Sequence, residues 1–346
     1  MWRLVARGMS SENYNWPVRI TASAPTRIDL AGGTIDIWPV YLFHPGAQTL
    51  NVAISLRAHA HIEARSDLDV ALVSEDTSRR VVLPSGPALR DDKTLPLLGR
   101  LAHHFDARGA TLTTRGESPA GAGIAGSSAL NIAVCGALNA WTGRALSPEA
   151  LLEVAKDIEA QVITVPTGLQ DYRPALYGGI AAVELGPGSV RRVALDVDPA
   201  ELEARLILCY TGEPRNSGTN NWEITKRHID GDAHVFDCFE RIRDTAATMR
   251  EALAAGDWDR VAEQLSVEWA NRKRLAPGVT TAAIDALIAR AQTAGAQAAK
   301  VCGAGGGGCL VAMAPPGRRG EVRNALAVGG ARLLDFTVET DGLRLG

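Results

Sequence analysis

Apolar and polar residues alternate over a long stretch in "LNVAISLRAHAHIEAR" (50–65). Val52, Ile54, Leu56, Ala58, Ala60 and Ile62 fall on one side, and Asn51, Ser55, Arg57, His59, His61 and Glu63 on the other. A period of two predicts a strand with one face on the core and one in water. "RITASAPTRIDL" (19–30) also suits a strand, and Pro25, with no N–H for a ladder, predicts an edge or bulge. Helical spacing returns at "LPLLGRLAHHFDA" (95–107), with His103 and His104 on the polar margin. Leu130, Val134, Leu138 and Trp141 mark one face of a second helix that Gly143 stops. "SPEALLEVAKDIEAQVI" opens a third, with Ser147 as cap and Pro148 at the first helical position. "GGIAAVEL" and "ARLILCYTG" read as strands, residues 218–274 as mostly helical, and "TTAAIDALIARAQTAGA" (280–296) as a further helix. "KVCGAGGGGCLVAM" (300–313) sets glycines between two short apolar runs, the pattern of a strand hairpin.

Strands and helices do not alternate regularly, which predicts an α+β fold. The 346 residues suit two modest domains, and "ELGPGS" (184–189) is the weakest joint, dividing the chain into 1–186 and 187–346. Composition changes this picture little: 46% apolar and 22% charged residues are enough for a sizeable core. A net charge of −3 supplies no basic field for nucleic acid and no polybasic membrane patch. No run approaches the ~20 apolar residues of a membrane span. The five cysteines (135, 209, 238, 302 and 309) form no C-x-x-C pair and cannot all pair within one chain. They read as buried thiols of a reduced, cytoplasmic protein. "MWRLVARGMSSENYNW" lacks a signal-peptide core and reads as a frayed terminus, with Met9 a candidate start. Oligomeric state leaves no mark on the sequence.

The candidate chemistry lies in two glycine-rich loops. "SPAGAGIAGSSALNIAVCGALNAWTG" (118–143) places small residues immediately before a helix. Small residues let backbone amides approach another group closely, and a helix N-terminus carries partial positive charge, so together they make a place for an anion. The loop lacks the Gly-Lys-[Ser/Thr] of a Walker A motif. "GAGIAG" matches G-x-G-x-x-G, but no acid stands about 20 residues on to hold a ribose. A plain turn is the alternative reading. The Ser127 and Ser128 hydroxyls at the helix start favour phosphate or Mg²⁺. The second loop, 303–308, holds five glycines and carries a large ordering entropy, so close approach of backbone to a ligand is the expected reason for it. Phosphoryl transfer further needs an acid for metal, a base and a cation. Glu159, Asp171 in a Pro/Gly-rich turn, Arg27 and Asp36 supply them, although each taken singly reads as a surface charge. His59 and His61 have no third ligand nearby and read as a solvated face.

Three motifs in fixed order, "SAPTRIDLAGGTID", "SPAGAGIAGSSA" and "KVCGAGGGGCL", resemble the signatures of the galactokinase, homoserine kinase, mevalonate kinase and phosphomevalonate kinase (GHMP) superfamily. "TGLQDYRPALYGG", "LILCYTGEPRNSG" and "LLDFTVETDGLRL" resemble its heptose 7-phosphate kinase and sugar 1-kinase branch. The resemblance implies an N-terminal α/β domain and a C-terminal ferredoxin-like domain, with ATP, Mg²⁺ and a sugar or sugar phosphate in the cleft between them. It implies that Asp171 is the base, with Arg27 beside it, and that Ser128 and Glu159 hold Mg²⁺. Pro119, Gly121, Ala122, Gly123, Ile124, Ala125, Gly126, Ser127 and Ser128 would wrap the phosphates. Asp36, with Gly33 and Thr34, would face the sugar, and Gly305 and Gly306 belong to the loop that closes over it. Two departures stand out. One extra residue before the serines lets Ser127 and Ser128 exchange roles, and Gly33 and Thr34 replace the Glu-His pair of galactokinases, against galactose as substrate. In "YTGEPRNSGTNNWEITKRH" (210–228), Arg215, Asn216, Ser217 and Thr219 precede a helix, as a grip for a distal phosphate or as an ordinary cap. A mevalonate-type kinase and a non-catalytic sugar sensor of the same fold are the alternative functions.

Overall fold

The computed structural model describes residues 19–214 and 217–346. Arg215, Asn216 and the candidate start at Met9 lie outside them. β1 (Arg19–Ala31) and β2 (Gln48–Ala64) run antiparallel through the middle of an eight-stranded sheet. Pro25 sits at a register shift between them, so its missing N–H falls at a bulge. β3 (Val70–Ser74), β4 (Arg79–Leu83) and β5 (Ala110–Gly116) continue the sheet beyond the second half of β2. The first part of β2 pairs instead with β6 (Ile180–Gly186), on which β7 (Ser189–Ala194) folds back.

One face of this sheet is covered by helices. After the short α1 (Pro87–Arg90) come α2 (Pro96–His104), α3 (Gly126–Thr142), α4 (Pro148–Ile163) and α5 (Tyr172–Tyr177). Leu98, Ile132, Leu152 and Tyr172 from these helices share one core with Ile20, Ala60 and Ile62 of the strands. Local signals set the helix ends: Ser147 Oγ accepts the Ala150 N–H, Pro148 opens α4, and Gly143 ends α3 with φ 64°.

The second sheet contains β8 (Leu206–Tyr210), β9 (Ala298–Val301), β10 (Cys309–Met313) and β11 (Arg332–Leu334), in the antiparallel order β11-β8-β10-β9. Between β8 and β9 run α7 (Ser217–Ile229), α8 (Ala233–Ala255), α9 (Trp258–Leu275) and α10 (Ala282–Thr293), after a short α6 (Pro199–Glu203) upstream of β8. α11 (Arg319–Val328) connects β10 to β11. This is the expected ferredoxin-like β-α-β-β-α-β order, with extra helices in its first crossover. Ile207, Cys209, Leu310 and Ala312 share a core with Ile284 of α10 and Val322 of α11, whereas Leu206, Leu208, Val311 and Met313 share one with Met249 of α8, Leu265 of α9 and Leu30, Leu50 and Val52 of the first sheet. A continuous apolar seam therefore joins the two sheets. All five cysteines are buried, as expected.

Three expectations need adjustment. The "wet" side of β2 is wet only at its far end: Asn51 and Arg57 are 1% and 6% exposed. The chain's last segment covers Arg57. Arg57 donates to the carbonyls of Ser23, Asp341 and Gly342 and to the Glu339 carboxylate. The stretch 184–189 is the tip of the β6–β7 hairpin, and the chain leaves the first sheet only after Ala194. The last segment then returns to the first sheet, where β12 (Arg344–Leu345) pairs with β1. On the way Glu339 bonds Ala53 and Gly179, and Leu343 N–H bonds Leu176 O. Gly342 passes so close that a Cβ there would stand 2.0 Å from Leu176 O. No helix among the described residues is long and apolar enough to cross a membrane.

Candidate active site

α3 starts without a side-chain cap, preceded by Ala125 in the left-handed region at φ 61°. Gly121 and Gly123 also hold positive φ, 66° and 77°, which bends the loop back over the helix end. The unpaired N–H groups of the first helical turn open on a cleft of about 640 Å³. The 118–128 loop, apart from Ile124, forms one wall, and Glu159, Asp171 and Tyr172 form another. Ile124 is fully buried, and its carbonyl accepts the Arg27 N–H, anchoring the loop to β1. Sequence reasoning missed Ser74, at the end of β3, and Asp76 and Thr77 in the turn after it, which line the same cleft.

Asp171 occupies the N-cap position of α5 but makes no capping bond. Its carboxylate accepts instead from Arg27, Nε at 2.9 Å and Nη2 at 2.5 Å, both on Oδ1. Arg27 is 1% exposed, and its Nη1 reaches the Gly123 carbonyl at 2.9 Å. One guanidinium thus connects the acid to the glycine loop. Burial opposes its charge, but Asp171 and Asp29 more than offset this and raise its pKa. Asp36 lies beside the same turn. Its Oδ2 accepts the Gln170 N–H at 2.9 Å and would meet a Cβ on Gly168 at 2.3 Å, so any larger residue at 168 would displace this carboxylate. Burial, helped by Asp171, pushes the Asp36 carboxyl up to about 6. The folded pKa lies above the unfolded one, so the native state loses stability as pH rises from about 4 to about 6, and the cost persists above that. Asp36→Asn is expected to add roughly 2–3 kcal/mol of stability at pH 7. Chemical denaturation at pH 7 and pH 4 checks this, with the gain disappearing at the lower pH.

Glu159 is buried on α4 under the start of α3. Burial raises its pKa, opposed by hydroxyl donors. Ser127 Oγ donates to Oε1 at 2.6 Å, Tyr172 Oη to Oε2 at 2.5 Å, and Ser128 Oγ reaches Oε2 at only 3.4 Å. Ser127 is exposed to the cleft and Ser128 is buried, so the geometry favours Ser127 over the expected Ser128 as the hydroxyl beside the carboxylate. No group of three His, Cys, Asp or Glu that would cage a metal occurs among the described residues. One carboxylate and one or two hydroxyls at an anion-binding helix end do fit Mg²⁺, a hard cation that shares its shell with phosphates and water. A desolvated carboxylate that resists ionisation also gains from a cation beside it. Glu159→Gln is expected to raise the Mg²⁺ concentration needed for activity, and Ser127→Ala to do so more than Ser128→Ala. Mg²⁺ titrations of the three variants check both statements.

The other expected site residues lie elsewhere. Gly33 faces the Arg272 guanidinium, whose Nη1 would be 2.3 Å from a Cβ. Thr34 is buried at φ 72°. The 303–308 loop is tight because backbone meets backbone: a Cβ on Gly305 would stand 2.5 Å from Val279 O, and one on Gly308 2.6 Å from Ala122 O. Gly306 N–H bonds Val279 O, and Cys309 N–H bonds Ala122 O, so the second glycine loop rests on the first. Close approach of backbone was the expected use of these glycines, and here Gly305 packs on Val279 and Gly308 on the first glycine loop. Behind them sits a charged cluster that sequence reasoning missed. Asp29 accepts from Lys300 Nζ at 2.8 Å and Gly303 N–H at 2.7 Å, with Arg27 Nη1 at 3.4 Å. Arg272 donates to the Gly303 carbonyl. Burial would raise the Asp29 pKa, but Lys300, Arg27 and Arg272 hold it down at about 2.

Comparison with known proteins agrees with this geometry. The family pattern described as "GHMP kinases N terminal domain" matches residues 94–179, and "GHMP kinases C terminal" matches residues 249–330. The chain is 27% identical over 339 residues to the D-glycero-alpha-D-manno-heptose 7-phosphate kinase of Campylobacter jejuni, covering 94% of this chain and 98% of that protein. It is 26% identical to the bifunctional fucokinase/GDP-fucose pyrophosphorylase of Arabidopsis thaliana, over 90% of this chain and 31% of that longer protein. Among solved structures, a D-glycero-D-manno-heptose 1-phosphate kinase from Bacteroides thetaiotaomicron superposes with a TM-score of 0.77 at 25% identity, covering 94% of this chain and 98% of that one. With both domains of the pattern in order and a phosphate-type loop facing a paired acid, the chain belongs to the GHMP kinases, a family of ATP-dependent kinases.

Proposed function

We propose that this protein transfers the γ-phosphoryl group of ATP to the anomeric hydroxyl of a sugar or sugar phosphate, in the manner of a heptose 7-phosphate kinase. The observation that carries the reading is the Arg27–Asp171 pair at the cleft, tied through Gly123 to the phosphate loop. An anomeric hydroxyl is more acidic than other sugar hydroxyls, so an ionised carboxylate within hydrogen-bond reach suffices as its base. Asp171 accepts that proton while the sugar oxygen attacks the γ-phosphorus and ADP leaves. Arg27 holds the Asp171 carboxylate in place and puts positive charge behind it as the transfer proceeds. The N–H groups at the start of α3 and the 121–128 loop hold the phosphates. Glu159 and Ser127, with Ser128, would hold Mg²⁺, which when bound neutralises phosphate charge. Asp36, beside the base, orients sugar hydroxyls. The relatives named as heptose-phosphate and fucose kinases support a sugar acceptor.

A panel of free and phosphorylated sugars, scored by ADP formation and by the carbon phosphorylated, tests the reading. ADP formation only with non-sugar acceptors such as mevalonate, or phosphorylation away from the anomeric carbon, would overturn it. Arg215, assigned from sequence to a distal phosphate, gives a sharper measurement. In Arg215→Ala, kcat/KM for a sugar phosphate is expected to fall by a charge-assisted bond, about 1.5–3 kcal/mol, with the matching free sugar nearly unaffected. Equal losses for both would remove Arg215 from phosphate recognition.

A further inference from the structure

Phosphoryl transfer has no intrinsic need for a phenol, yet Tyr172 directly follows the proposed base and sits at the wall of the cleft. It is 1% exposed, and its ring belongs to the core under the first sheet, so its orientation is fixed by packing. Its hydroxyl donates to Glu159 Oε2 at 2.5 Å. Oε1 of the same carboxylate takes the Ser127 hydroxyl at 2.6 Å, and Ser127 is open to the cleft. The two oxygens therefore have separate surroundings: one bound to a rigid buried group, the other on the side where phosphates enter. Without the phenol, Oε2 would keep only the long 3.4 Å contact to Ser128 Oγ, and because the terminal torsion of a glutamate is broad the carboxylate plane would turn more freely. The same bond ties the first residue of α5 to α4, one residue from Asp171.

We infer that Tyr172 is a positioning residue: its phenol fixes the plane of the Glu159 carboxylate so that Oε1 faces the divalent cation, and it pins the turn that carries Asp171. The inference rests on the reading of Glu159 as a metal ligand. Outer partners of this kind typically change metal affinity about 10–100-fold when removed.

Tyr172→Phe deletes one oxygen and keeps the ring. Mn²⁺ binding, followed by electron paramagnetic resonance in the presence of a non-hydrolysable ATP analogue, is expected to weaken about tenfold or more. Affinity for the analogue in EDTA is expected to stay unchanged. If Glu159→Gln leaves Mn²⁺ affinity intact, the metal assignment itself fails. If Glu159→Gln weakens Mn²⁺ and Tyr172→Phe does not, the positioning role fails and the functional reading stands. The double variant separates this role from a general loss of packing. A residue acting through Glu159 adds nothing in the Glu159→Gln background, whereas an independent structural defect adds its full effect there.

Discussion

Asp171→Asn is expected to bind nucleotide normally and to lose roughly 10²–10⁴-fold in turnover, the usual contribution of a general base. The substitution is close to isosteric, and an amide oxygen still accepts from Arg27 Nε and Nη2, so the turn before α5 keeps its main tether. What it loses is the capacity to take a proton. The defect should appear in kcat, with a nucleotide dissociation constant close to that of the parent by calorimetry. Because Arg27 also holds the Gly123 carbonyl, Arg27→Ala is a poorer test: it disturbs the base and the phosphate loop together. Near-normal turnover of Asp171→Asn on the true substrate would show that the hydroxyl loses its proton elsewhere.

The second large effect concerns stability. Lys300 and Asp29 are both fully buried, and Lys300 Nζ donates to the carbonyl and the carboxylate of Asp29. Lys300→Met removes the nearest cation and leaves a desolvated carboxylate with one backbone N–H and a longer contact to Arg27. Breaking a buried pair from one side costs about 3–5 kcal/mol, a large part of the stability of an ordinary domain. The Asp29 pKa is depressed, so its contribution is complete above about pH 4 and is lost as pH falls toward 2. The variant should therefore be most compromised near neutral pH and closest to the parent in strong acid. Urea melts across that range measure both. A loss under 1 kcal/mol at pH 7 would mean that water or a local shift repairs the site.

The glycine loops, α3 and α4 with their ends, and the strand of 50–65 were legible because caps, glycines and apolar periods act over a few residues. The Arg27–Asp171 pair spans 144 positions. No spacing rule brings these residues together, and only the family resemblance paired them in advance. Asn51 and Arg57 were misread for a related reason. Alternation reports that a strand has two faces, but the cover over Arg57 comes from residues 339–342, far along the chain. Lys300 did leave a trace, one charge inside the apolar run "AAKVC", and a buried strand position of that kind requires a counter-charge. The glycines of 303–308 drew attention correctly, but the sequence did not reveal that Val279 and Ala122 would pack against two of them. β3 and β4 lie among polar turns too short for a periodic signal.

The return of the last segment to the first sheet bears on how the chain folds. Ala22 pairs with Leu345, and Leu343 packs against Gly136 inside the helix that opens on the cleft. The amino-terminal sheet therefore lacks an edge strand and part of its helix packing until nearly the whole chain is available. Closing so long a loop carries a large entropy cost before any of these contacts form. During synthesis, the emerging amino-terminal half would present an open β1 edge and an uncovered apolar seam, surfaces prone to aggregation. A fragment ending after β7 should accordingly associate or remain molten, and supplying the carboxy-terminal half in trans should restore its order.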